Sequence, residues 1–249
     1  MGVGITYKIA EMAVGSKTFP EASGAGPVSA PSGALVAEIS IPHCGKLAAW
    51  GETLLIFGLL EAVMWTPRSF GHSLLIAALA GNVLWLGFRG HTRRELGVVW
   101  PLRSGTGWIL GIGGVVAVAI PAGAILTGHP VPANPDWPRF QNIWPYAIWA
   151  MGQQFLLQSF LYVRLESLLG SRPAVLAGTF LFTVAHLPNL ALTVMTFFGA
   201  LFFTEMFRRY RSIYPLGIVH ALLGIAVAYS FPDSLMHHMR VGLSFWHFQ

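Results

Sequence analysis

Four side chains in the second half of the chain are of types that could do chemistry together. His186 stands in Phe182-Thr-Val-Ala-His186-Leu-Pro-Asn189, and His220 stands in Pro215-Leu-Gly-Ile-Val-His220-Ala-Leu-Leu-Gly224. Gln154 and Gln158 are four residues apart, so a helix puts them on one face. An imidazole can move a proton or hold a water near neutral pH, which an amide cannot. The two glutamines alone would be interhelical glue, at ~0.6 kcal/mol per contact. Ser159 and Arg164 follow on the same segment. Glu166, Glu205, Glu52 and Glu61 are the acids of these segments: Glu205 has the spacing of an ion pair with Arg208 and Arg209, Glu61 is expected at the outer interface, and Glu52 nearer the cytoplasmic side, where it could approach the group. Two histidines without a carboxylate or thiolate partner make a poor zinc site, because catalytic zinc usually takes three protein ligands. Cys44 is the lone cysteine. No metal and no cofactor is expected.

The elements that must position these groups are apolar. Of 249 residues, 54% are hydrophobic and 10% charged, and the mean hydropathy is +0.60. A water-soluble domain carries roughly 25% charged residues. The composition therefore excludes an ordinary cytosolic enzyme, a disordered chain and a nucleic-acid-binding domain. The fold class it implies is all-α, a polytopic membrane bundle. Seven apolar stretches read as spans: Leu47–Trp65, Phe70–Phe88, Gly105–Gly128, Ile143–Arg164, Pro173–Leu187, Leu190–Phe207 and Ile213–Phe231. Residues 1–45, rich in Gly, Ala, Ser and Pro, read as a flexible leader, and residues 46–249 as the membrane domain.

With seven spans, Lys46, Arg89, Arg93, Arg94, Arg103, Arg164, Arg172, Arg208, Arg209 and Arg211 fall on one side, and Arg68, Arg139 and Arg240 on the other. The cation-rich side is expected to be cytoplasmic, with the N-terminus inside and the C-terminus outside. Trp65, Trp137, Trp144 and Trp246 then fall near the outer interface. At 1.5 Å per residue, His220 lies ~10–12 Å from the cytoplasmic helix end, His186 ~20 Å, and Gln154 and Gln158 bracket them. The four groups are expected to share one interior layer.

This ordered set resembles the CAAX-protease and bacteriocin-processing (CPBP) family of intramembrane endopeptidases. That family carries E-E-x-x-x-R, F-x-x-x-H and H-x-x-x-N on successive membrane helices. Phe182 and His186 fit the second motif, His220 the histidine of the third, and Arg164 the arginine of the first. The resemblance covers about Ile143 to Phe231. Anchored on Arg164, it puts Ser159 and Phe160 at the two glutamates, or Gln158 with a one-residue offset, and it puts Gly224 at the asparagine. It implies that His186 and His220 hold a water and a developing oxyanion. Arg164 would brace the helix or a substrate carboxylate, while Gln158 or Ser159 stands at the base position. Gln154, Phe182 and Asn189 would contact the substrate. The function implied is cleavage of a membrane-associated peptide or protein by an integral protein of the bacterial inner membrane. The alternative is an inactive relative serving as a binding, immunity or assembly factor.

Overall fold

A computed structural model describes residues 43–99, 105–129, 131–133 and 140–246. Most of the leader expected at residues 1–45 lies outside them, and its last three residues already belong to the first helix. Every regular element of the described residues is helical. The main helices are α1 (His43–Trp65), α2 (Phe70–Phe88), α3 (Thr106–Leu126), α4 (Phe140–Gln154), α5 (Val163–Leu169), α6 (Ser171–Val184), α7 (Leu190–Tyr210) and α8 (Tyr214–Ser230). A π-helical stretch, Phe155–Tyr162, joins α4 to α5 without a break. Four helices, Gly45–Trp65, Phe70–Phe88, Thr106–Leu126 and Leu190–Tyr210, are long and apolar enough to cross a membrane, and Tyr214–Ser230 is a shorter apolar helix.

Large apolar side chains point outward as well as inward. Phe70, Trp108, Leu126 and Phe198 are each well over half exposed, which suits a hydrocarbon solvent rather than water. The packed interior forms around Phe160, Leu161, Tyr162, Phe203, Phe207, Leu216 and Val219. All residues of the π-helical stretch from Leu157 to Tyr162 are buried. Its wider turn spreads neighbouring polar residues onto different faces, and such stretches are frequent at functional sites.

Contacts at the ends fix the antiparallel order. At the arginine-rich end Glu52 pairs with Arg89 and Arg164, and the Ile213 N–H donates to the Gly97 carbonyl. At the opposite end the Gly242 N–H donates to the Leu187 carbonyl, and the Ala133 N–H to the Tyr229 carbonyl. Helix α8 is the hub, packing against α3 and α4. Small residues allow this approach, as is usual where helices meet without a hydrophobic drive from water. A Cβ on Gly113 would collide with Val219, and one on Gly217 with Met151.

We predict that Gly113→Ala lowers stability by about 1–3 kcal/mol through overpacking against Val219. Adding Val219→Ala should return most of the loss, as read from melting curves of the detergent-purified protein.

Candidate functional site

The four expected groups come together. Gln154 and Gln158 are fully buried. The Gln158 amide donates to Gln154 Oε1 at 3.3 Å, and Gln154 Nε2 lies 3.1 Å from His220 Nδ1. His220 stacks on Phe203 with ring centroids 5.3 Å apart and meets the edge of Phe182 at 6.2 Å. Phe182 in turn lies 4.7 Å from the His186 ring. His186 does not sit inside a helix, as the span Pro173–Leu187 led one to expect. Helix α6 ends at Val184, and His186 stands in the turn that leads to α7. Its Nδ1 lies 2.6 Å from the Phe182 carbonyl.

With the amides oriented this way, these contacts assign the tautomers. A carbonyl oxygen only accepts, so His186 carries its proton on Nδ1 and presents a bare Nε2. The Gln154 oxygen is taken by Gln158, so its N–H₂ faces His220. His220 Nδ1 therefore accepts, and Nε2–H is left as a donor. Gln158 Oε1 is buried with no hydrogen-bond partner among the described residues. The two imidazoles thus have opposite capacities, one a base and the other a donor.

A cavity of about 470 Å³ lies beside His220 between α3, α7 and α8, lined also by Phe182, Phe203, Tyr146, Gly224 and Val116, and His186 borders it only through its ring contact with Phe182. Phe198 and Val116 on its wall are exposed to the surroundings of the bundle. Tyr146 is the residue that sequence reasoning missed. Its hydroxyl packs so closely on Gly224 that a Cβ there would overlap it. The side chain missing from the third motif is therefore replaced, in space, by a phenol from α4. The available signal was Gly224 itself, four residues after His220.

The motif-one alignment needs correction. Arg164 is not near the histidines. It is 2% exposed at the arginine-rich end, where Nε donates to Glu52 at 2.7 Å and Nη2 to the Leu86 carbonyl at 2.8 Å. Its guanidinium also lies over the Phe160 ring at 3.7 Å. The spacing of E-E-x-x-x-R is met six residues upstream by Gln153-Gln154-Phe-Leu-Leu-Gln158, and this is the register that the contacts support. Each charged position of the motif is then an amide.

Ser159 also stands apart, since its hydroxyl donates to the Leu96 carbonyl at 2.6 Å. Asn189 caps α7, accepting from the Leu192 N–H, and holds the carboxy-terminal tail by donating to the Met236 and Arg240 carbonyls. Its contacts are structural.

The acids lie elsewhere, and Glu61 accepts from the Trp65 Nε1–H at 3.1 Å with its other oxygen buried and without a partner among the described residues. Glu52 serves Arg164 and Arg89. Glu166 accepts from Tyr162 and pairs with Arg211. Glu205 pairs with Arg208 and Arg209, as its spacing indicated. Among the described residues no three His, Cys, Asp or Glu side chains converge as metal ligands would.

Residues 135–226 match the family described as Rce1-like, type II CAAX prenyl endopeptidase. The match agrees with the resemblance drawn from the motifs and includes Gln154, Gln158, His186, His220 and Tyr146. It covers less than half of the chain. No curated protein and no solved structure matches.

Glu52→Gln leaves the buried guanidinium of Arg164 without its countercharge. We expect a loss of about 3 kcal/mol in stability, visible as a lower melting temperature, with Arg164→Gln on top of it recovering part of that loss.

Proposed function

We propose that this chain is an intramembrane endopeptidase of seven membrane crossings, with the arginine-rich end cytoplasmic. The observation that carries the reading is the opposed hydrogen bonding of His186 and His220, with His220 on the wall of an apolar cavity and His186 behind Phe182, which also lines it. The substrate is a membrane-associated peptide or protein whose scissile bond enters that cavity from the side. His186 Nε2 takes a proton from a water, and the resulting hydroxide attacks the peptide carbonyl carbon. His220 Nε2–H and the Tyr146 hydroxyl donate to the oxyanion that forms. The imidazolium of His186 then passes its proton to the departing amide nitrogen as the C–N bond breaks. The free acceptor of Gln158 orients the water through its other hydrogen.

In this scheme a glutamine is not a failed glutamate. Gln154 cannot be the base, but it can donate to His220 and fix the tautomer that donates onward. The base role falls to the histidine whose own Nδ1–H is tied to a main-chain carbonyl.

The test compares the termini of membrane proteins, by mass spectrometry, in cells carrying the native protein, His186→Ala, His220→Ala or a deletion. A precursor should accumulate in all three altered strains. Unchanged termini in every strain, with the protein present in the membrane, would contradict proteolysis. In the same cells Tyr146→Phe should slow maturation roughly a hundredfold, as loss of one oxyanion donor does, while leaving the amount of protein unchanged.

A further inference from the structure

The cavity beside His220 offers a substrate no countercharge. Apart from His220, Tyr146 and Thr196, the described residues that line it are apolar or glycine, and no lysine, arginine, aspartate or glutamate is among them. His220 accepts at Nδ1 from Gln154, so its ring is a neutral donor there. Charged groups of the adjoining segments are turned elsewhere. Arg240 follows Met239, which lines this cavity, yet Arg240 lines a different one with Arg68. Asp233 pairs with His238 at 2.7 Å. Glu205, one helical turn past Phe202, pairs with Arg208 and Arg209.

The way in is apolar as well. Ile112 and Val116 of α3 and Phe198 of α7 line the cavity and are also exposed on the outside of the bundle. A substrate that passes between them comes from hydrocarbon, where an ionised side chain is costly.

These two features decide which part of a chain can be presented. The donors to the oxyanion, His220 Nε2–H and the Tyr146 hydroxyl, belong to the cavity wall, so the residues next to the scissile bond lie inside it. At about 470 Å³ the cavity has the size of sites that enclose a small ligand, which is room for a short stretch of chain. A free terminus or a charged side chain within that stretch would lose its water and find no partner. A lipid acyl chain would fill the wall but leave the His220 N–H without an acceptor, whereas a peptide brings carbonyls. We infer that the cavity receives an uncharged stretch from the interior of an apolar peptide segment. With the proteolytic reading, on which this last step rests, the cut is made inside the segment and not within a few residues of either chain end. The binding preference itself is measured without turnover.

The full-length protein in detergent is photo-crosslinked to a short leucine–alanine peptide that is acetylated, amidated and carries a central benzoylphenylalanine. Unlabelled relatives compete: the blocked parent, forms with one leucine replaced by aspartate, lysine or asparagine, and a form ending in a free carboxylate close to the centre. The label should fall on α3 and α7. The aspartate, lysine and free-carboxylate peptides should compete about a hundredfold less well than the parent, the penalty of an ionised group in an apolar interior, and the asparagine peptide should lose much less. Thr196→Lys, which sets an ammonium on the wall, should improve the aspartate peptide at least about tenfold and weaken the lysine peptide further. Partition into the micelle is the same for both proteins, so their ratio reports the cavity. The peptide series on the native protein decides if Thr196→Lys does not fold. Competition by the aspartate or free-carboxylate peptide equal to that of the parent would overturn the inference, and so would label outside the cavity or no binding at all. Selective binding with no peptide cleaved would support the inference and contradict proteolysis. Cleavage confined to the free-carboxylate peptide would support proteolysis and overturn the inference.

Discussion

A polar group buried among apolar helices cannot turn to water, so it must find its partner in the protein. That constraint organises this molecule more than any single packing contact. Gln154 and Gln158 are fully buried and use each other and His220. His186 uses the carbonyl one turn back along its own chain. Once these bonds are made, each imidazole has one nitrogen engaged and one nitrogen left for chemistry. The chemistry proposed for the site is what those two nitrogens can do.

The same constraint explains why the charged residues stand apart from the site. Arg164 satisfies its donors on Glu52 and on main-chain carbonyls of Leu86 and Phe160. It ties α5 to α1 and α2 and does not bring a charge to the histidines. The π-helical stretch makes this separation possible within one continuous rod. From Gln158 to Arg164 the chain serves the site, the loop at Leu96 and the ion pair at Glu52 in turn, with every residue buried or nearly so. The hub helix α8 needs Gly217 and Gly224 for the close approach of α4, and Gly224 is also where Tyr146 rests.

Much of this was legible in the sequence, and for a physical reason. Hydropathy over twenty residues depends on composition alone, so the helices at Phe70–Phe88 and Leu190–Tyr210 were visible from the residues. Depth along a helix scales with residue number, so the shared layer of Gln154, Gln158, His186 and His220 could be worked out by counting. The rest depends on packing. Nothing local in Phe155–Tyr162 distinguishes a π-helical turn from an α-helical one. The early end of α6, which leaves His186 in a turn, has instead a local cause that the span Pro173–Leu187 passed over: Pro188 has no N–H to donate to the Val184 carbonyl and its ring would clash with it. Arg164 drew the first motif to itself because it is the conspicuous arginine, whereas the amides that meet the spacing carry no charge to notice. Tyr146 lies on a different helix from Gly224, and only the folded chain brings them together.

The account turns on the two tautomers, and nitrogen NMR of the protein in lipid bilayers, with its histidines labelled with ¹⁵N, reads them directly. Single His→Gln variants assign the signals. The proposed mechanism requires His186 to carry its proton on Nδ1 and His220 on Nε2 in the resting protein near neutral pH. A spectrum in which both rings hold the proton on the same nitrogen would contradict the division into base and donor on which the mechanism is built.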